Sequence, residues 1–396
     1  MSSAGRDTVA LLPPWVPVAL RARYAVLLLV GVLPALWHLH TNGGVGDWGV
    51  FRSAAEVLSG RSSTAPLDLY LASPQTQIGP PALLLALPVA LLPLPLGWWV
   101  LVLLTGCALP LCCRWLEDAA RAGGTRDPRI ELVVVTGGLL AGTYWWRIAA
   151  DYSHPEDVMA IATACLVLKW SRLHPSSSWH PWLSAMLLGV AAAGKPWAVG
   201  FTVLAAAWSA PHALRAARVL SAGIVAGACW LPFVLAAPES LTRLGAFRVE
   251  VWSTSPLALL GYGGVVYPVW VRPAQFALAV GLAGVAVLRR RADLAPFAAV
   301  AARIALDPQA WDYYFATTAV AALAADVLRP GTRGPWVTLT TIALLYDARW
   351  LLDDSWSIAA IQSLPVLVAV VLLLVGPVGA RPRPAAGGHR PGSSTL

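Results

Sequence analysis

Charge is scarce in this sequence, and lysine is scarcer still. Only 12% of the 396 residues are Asp, Glu, Lys or Arg, against about 25% in soluble domains. That deficit leaves no stretch for a soluble domain. The complement is 58% hydrophobic residues, set in long apolar runs along the whole length and separated by short charged or Pro/Gly-rich joints. This is the pattern of an all-α polytopic membrane protein. Also missing are a glycine-rich phosphate loop, a nucleophile elbow, a His-Glu-x-x-His pair and an Asp-x-Asp pair, which speaks against a soluble-type nucleotide-sugar or ATP enzyme. The five cysteines (Cys107, Cys112, Cys113, Cys165 and Cys229) lack metal-ligand spacing and read as small buried hydrophobes. The formal charge of +8 does not call for nucleic acid, because a membrane protein collects Arg and Lys in its cytoplasmic loops.

What is present can be given a direction. Arg6, Arg21 and Arg23 precede the first apolar run, Tyr24 to Leu39, and no small-x-small cleavage pattern follows it, so it reads as a retained first helix delivering Asp47 to the external face. The stretch from Pro80 to Pro95 is short for a span, which needs roughly 20 residues. It also holds five prolines, so it reads as re-entrant or surface-lying. The next span, near Leu96 to Cys113, then puts Arg114, Arg121, Arg126 and Arg129 inside. Continuing in alternation gives about twelve spans with both termini cytoplasmic. Residues 1–380 form one membrane domain, and 381–396 a disordered cytoplasmic tail. The external loop after the seventh span has room for an interfacial helix, and the 20 Trp serve mainly as interface anchors.

Three external joints gather the polar residues that carry chemistry. The first is Asp47, set among Gly43, Gly44, Gly46 and Gly49, which let a backbone approach a ligand. Trp48 and Phe51 beside it offer an apolar face to a sugar or lipid, and Arg52 a cation for a phosphate. The second joint holds Asp151, His154, Glu156 and Asp157. Pro155 with two acids is a good helix start, and the same residues suit contact with sugar hydroxyls, with a divalent-metal site as the alternative. The third is Asp307, Trp311, Asp312, Tyr313 and Tyr314, an aromatic belt or the floor under a sugar. Between them lies Gly194-Lys195-Pro196-Trp197. Lys195 is one of two lysines, the other being Lys169. It stands at an outward helix end, where a charge needed only for topology would be misplaced, and a compact ammonium suits a phosphate.

The chain resembles the membrane-embedded glycosyltransferases of the GT-C fold, and within them glycosyltransferase family 87, the polyprenyl-phosphate-dependent alpha-mannosyltransferases. The resemblance rests on Asp47-Trp48-Gly49-Val50-Phe51 after the first helix, Leu58-Ser59-Gly60, Leu69-Tyr70, Pro80-Pro81-Ala82-Leu83-Leu84, His154-Pro155-Glu156-Asp157 and Gly194-Lys195-Pro196-Trp197. It covers roughly the first half of the chain by motif and the remainder by architecture. Gly79 stands where family members often have tyrosine, and Tyr313-Tyr314 where histidines occur in relatives. The resemblance implies a plasma-membrane enzyme with its active site on the external face. It would transfer a sugar, mannose in the family, from a polyprenyl-phosphate donor to a cell-envelope glycan or glycolipid with inversion. Asp47 is the implied general base. Lys195, Arg303 or Arg52 would neutralise the lipid phosphate, and Trp48, Asp151, His154, Glu156, Asp157, Trp197, Trp311, Asp312 and Tyr314 would contact sugar or acceptor. No metal or other cofactor is required. A transporter or flippase of lipid-linked sugars, and a non-catalytic partner of an envelope-assembly complex, are the competing readings.

Overall fold

The computed structural model describes residues 20–42, 46–122, 128–329, 331 and 333–375; the tail expected over 381–396, together with Gly43, Gly44, Arg6 and Arg126, lies outside them. The described residues are predominantly helical, with no strand among them beyond one isolated antiparallel bridge between Glu250 and Val266. The principal helices are α1 (Arg23–Asn42), α2 (Trp48–Leu58), α3 (Pro80–Ala90), α4 (Leu94–Arg121), α5 (Pro128–Trp146), α6 (Pro155–Leu173) and α7 (His180–Gly194). They continue with α8 (His212–Ala236), α9 (Val271–Leu288), α10 (Ala295–Ala305), α11 (Asp312–Leu328), α12 (Trp336–Ile342) and α13 (Ser355–Val375).

Among the described residues, six segments are long and apolar enough to cross a bilayer: Arg23–Thr41, Leu94–Arg121, Arg129–Asp151, His212–Ala236, Val271–Leu288 and Ser355–Val375. The protein is therefore a polytopic membrane protein. Most other segments read as spans in the sequence are shorter, the 19-residue α6 excepted. Helix α7 has 15 residues, α10 has 11, and the sixth is an 11-residue 3-10 helix, Pro196–Ala206. Nearly every residue of α10 and α11 is buried, so protein rather than lipid surrounds them and a full bilayer length is not demanded of them. Trp37, Trp99, Trp179, Trp336, Trp350 and Trp356 are exposed, in keeping with anchoring at an interface. Cys112, Cys113 and Cys165 are buried as expected, whereas Cys107 faces outward from α4. An exposed apolar Cys side chain is cheap when its surroundings are lipid.

Proline sets the corner that the sequence marked. Pro80 and Pro81 occupy the first positions of α3, where a missing N–H costs nothing, and the helix ends at Ala90. The chain turns through Leu91-Leu92-Pro93 into α4. Gly79 fits here for a steric reason. Its N–H donates to the Gly194 carbonyl at 2.9 Å, and a Cβ added to it would lie 1.6 Å from the Ala193 carbonyl oxygen. That backbone contact fastens α3 to the end of α7 beside Lys195. Gly79→Ala is expected to destabilise the protein by about 1–3 kcal/mol through overpacking, read as a lower unfolding temperature in detergent.

The joints segregate by end. Asp47, residues 151–157, Lys195 and residues 303–314 meet at one end of the bundle. At the other, Glu117, fully buried, is held by Arg23, Tyr24 and Arg121, with Glu131 alongside, and Lys169 pairs with Asp118 at 2.8 Å. This is the separation that alternating spans demand.

Candidate functional site

The site is built on three backbone departures from regular helix. The end of the third span unwinds into a π turn over Arg147–Asp151, a distortion frequent at functional sites. Ser153 follows in the left-handed region with φ 57°, although buried, a conformation that persists only where its surroundings fix it. Gly46 has φ +39°, and a Cβ there would lie 2.5 Å from both the Asp151 carbonyl oxygen and the Tyr152 Cα. Across this contact the Asp47 N–H donates to the Tyr152 carbonyl at 2.9 Å, and the Asp47 carbonyl starts α2. Only glycine permits the approach, and it brings Asp47 to His154.

From Asp47 a chain of charges runs inward. His154 Nε2 lies 3.2 Å from Asp47 Oδ2, and Nδ1 lies 2.6 Å from Glu156 Oε1. Lys195 Nζ reaches Glu156 Oε1 and Asp157 Oδ2, each at 2.8 Å, the second as an ion pair without hydrogen-bond alignment. Trp197 Nε1 donates to Asp157 Oδ1 at 2.8 Å, and Arg303 lies 3.5 Å from the same oxygen. Arg303 continues to Asp307 at 3.5 Å, which Arg272 approaches at 3.7 Å. Aromatic rings wall the chain: Tyr313 stacks on His154 at 4.0 Å, and the Arg303 guanidinium lies 3.3 Å over Tyr314 and 4.7 Å over Trp197.

The charges in this chain balance only with His154 protonated. The carboxylates Asp47, Glu156, Asp157 and Asp307 are set against Lys195, Arg303 and Arg272, and the imidazolium supplies the missing positive charge. Both ring nitrogens face carboxylate oxygens, which asks both to donate. Burial opposes the charge on His154, yet Glu156 and the bond to Asp47 outweigh burial and Lys195 and hold its pKa above the ordinary 6.5. The hydrogen bond from His154 holds the Asp47 carboxyl below its ordinary 3.8, against the opposing effects of burial and Glu156.

Asp47 differs from its partners in access. Its side chain is 55% exposed, while those of Glu156 and Asp157 are wholly enclosed and that of His154 is 5% exposed. Glu156 and Asp157, expected to contact sugar, are covered by Lys195, Arg303 and Trp197; they open α6 at its first turn, as the Pro-acid-acid sequence indicated. His154 likewise spends both nitrogens inside the protein, and Trp197 and Tyr314 are buried against Arg303 rather than open to a ligand. Trp48 is fully buried and stacks on Phe51, since the first turn of α2 points it inward. Arg52, one turn on, donates to the Leu92 carbonyl at 2.9 Å, and no contact among the described residues joins it to the cluster.

A second, partly open set adjoins the first. Arg147 pairs with Asp151 at 3.1 Å and Asp312 at 3.3 Å; Arg349 also holds Asp312. Trp311 packs against Tyr152 and Trp252, and Tyr152 touches Tyr313 of the first set. Asp151, Trp311 and Asp312 keep partial exposure. Beside Glu156, on the other flank, is an apolar cavity of about 210 Å³ walled by Trp48, Ala86, Leu101, Leu104 and Met159. Its rim residues Leu85 and Leu104 are exposed. Sequence reasoning missed Arg147, Arg272 and Arg349. Arg147 stands near the end of an apolar span, and an ionisable residue there is itself a functional signal; the other two had none.

His154, Glu156 and Asp157 bring one ligand atom each to within 4.8 Å of one another, a set competent for a divalent metal. The Lys195 ammonium stands between the two carboxylates, so an ion bound there would displace it. Comparison with family profiles, curated proteins and solved structures gives no match.

Proposed function

We propose that the protein is a glycosyltransferase of GT-C architecture, with about twelve membrane-crossing segments, acting at the external face of the plasma membrane. It transfers a sugar, mannose first among candidates, from a polyprenyl-phosphate donor to a cell-envelope glycan or glycolipid. The observation that carries this reading is Asp47: an accessible carboxylate at the mouth of an otherwise sealed charge network, whose Glu156 borders an apolar cavity. A lipid-linked substrate has the matching form, with a polar head, a phosphate and a hydrocarbon body.

In this mechanism the Asp47 carboxylate takes the proton from the acceptor hydroxyl as its oxygen attacks the anomeric carbon. The carbon–oxygen bond to the lipid phosphate breaks on the opposite face, inverting the configuration. The phosphate leaves as a stable anion and needs no acid. Lys195 and Arg303, both enclosed, supply positive potential toward it. Asp151, Trp311 and Asp312 flank the acceptor, and His154 keeps Asp47 ionised and aimed. Direct transfer through Asp47 calls for no metal.

The transport reading would want charge near the middle of the bilayer and repeated halves; the ion pairs here sit at the bundle ends. The test uses membranes with and without the protein, supplied with radiolabelled polyprenyl-phosphate sugars. Label is expected in a new glycan or glycolipid product. Label that crosses vesicles on its lipid with no such product would overturn the enzyme reading in favour of transport.

The pH dependence follows from the Asp47–His154 pair. Asp47, with its pKa lowered in the folded protein, contributes stability present above about pH 3.8 and lost as pH falls through its folded value. His154, with its pKa raised, contributes stability fully present below about pH 6.5 and lost as pH rises through its folded value. Between these limits the pair is intact. His154→Gln removes the proton that holds the Asp47 carboxyl down, so the acid limb of the transfer rate is expected to move to higher pH. An unmoved acid limb would show that His154 does not tune the base.

A further inference from the structure

The end of the bundle away from Asp47 carries a concentration of charge that transfer does not use. Helix α9 has Arg272, beside the site, in its first turn and runs 18 residues, about 27 Å, to Arg289-Arg290-Arg291; α10 then returns to Arg303. Helix α8 begins at the same distant joint. Arg215 there donates to the Ala206 carbonyl at 2.8 Å and to the Val287 carbonyl at 3.4 Å. Arg290 is a like charge close enough to act on Arg215, as Arg215 is on Arg218. Arg172, at the end of α6, acts on Asp293, which Arg291 approaches at 3.4 Å.

In other arginine clusters among the described residues the cations are matched by carboxylates, as in Arg23–Glu117–Arg121–Glu131 and Asp151–Arg147–Asp312–Arg349. Here Asp293 alone, among the described residues, is paired into a group of Arg172, Arg215, Arg218, Arg289, Arg290 and Arg291. The mismatch reaches individual atoms. Arg218 is 5% exposed and has no hydrogen bond on Nε or Nη1; Arg291, also 5% exposed, has none on Nη1, and Arg289 has none on Nε. Unpartnered buried guanidinium donors are costly, and repulsion between neighbouring cations adds to the cost. An anion with several acceptor oxygens would relieve both, and arginine forks match phosphate.

We propose that Arg215, Arg218 and Arg290, with Arg289 and Arg291 at the edge, bind the phosphate of an anionic phospholipid in the leaflet opposite the Asp47 site. The lipid is favoured over a soluble phosphate by what lies below the arginines. Val285 and Leu288, in the last turn of α9 directly before Arg289 and Arg290, are both exposed, an apolar surface beside the arginines against which acyl chains can lie.

The test measures binding alone, so it stands or fails independently of the transfer reading. Purified full-length protein in neutral detergent is titrated with phosphatidylglycerol, phosphatidylcholine or inorganic phosphate, followed by native mass spectrometry and unfolding temperature. Phosphatidylglycerol is expected to bind selectively and raise the unfolding temperature. Each arginine removed should weaken its binding about five-fold. Arg290→Gln tests the site at an exposed position where misfolding is not at issue, and Arg218→Gln at its buried centre. Equal binding of both lipids, an equal stabilisation by inorganic phosphate, or full phosphatidylglycerol binding by Arg290→Gln would overturn the proposal.

Discussion

Asp47→Asn is expected to lower sugar transfer by about 10²- to 10⁴-fold, the range supplied by a positioned general base, while leaving the protein folded. The asparagine keeps the shape and a hydrogen-bond partner for His154 but cannot accept the acceptor's proton. Because the Asp47 side chain is 55% exposed, the loss of its charge leaves no unpaired buried group of its own. The unfolding temperature of the variant should fall only by the share of stability that the Asp47–His154 pair contributes, and the amount inserted in membranes should be unchanged. Asp47→Glu should also fall well short of native activity, since an added methylene moves the oxygens away from a position set by the Gly46–Tyr152 contact. Full transfer by Asp47→Asn would place the base elsewhere.

Lys195→Met should have the opposite profile, with stability failing before chemistry can be asked about. The ammonium lies 2.8 Å from both Glu156 and Asp157, whose side chains are wholly enclosed. Removing one partner of a buried ionic group costs about 3–5 kcal/mol, because the remaining charges are left without compensation. Unfolding of the variant in lipid nanodiscs measures this. The double variant Lys195→Met with Glu156→Gln should recover part of the loss, since one of the stranded charges has then gone. A cost below about 1 kcal/mol, the value of exposed pairs, would mean that water reaches the cluster and that the network is not sealed.

Much of the architecture was legible in the sequence because bilayer insertion is written in one dimension. Apolar runs and arginine-marked joints give helices and ends without knowledge of packing, and α1, α4, α8, α9 and α13 fall where the runs lie. The prolines likewise mark the short α3. What one dimension cannot give is rotation about a helix axis and the depth of an end. Trp48 follows Asp47 in sequence, but α2 turns it into the core while Asp47 stays at the mouth. His154, Glu156 and Asp157 were legible as a cluster, yet their enclosure depends on Lys195 and Arg303, which arrive from 39 residues and more along the chain. Arg272 and Arg349 were not legible at all, because their meaning comes from Asp307 and Asp312 across the bundle. The left-handed Ser153 leaves no mark in composition, whereas Gly46 announces the close approach it permits.

The most direct test of the central claim is the anomeric configuration of the product made by the purified native protein from a polyprenyl-phosphate sugar of known configuration, read by NMR. A single displacement with Asp47 as base predicts that every product linkage is inverted relative to the donor. Retention of configuration would require a covalent or ion-pair intermediate that one accessible carboxylate acting as a base does not provide, and it would contradict the account.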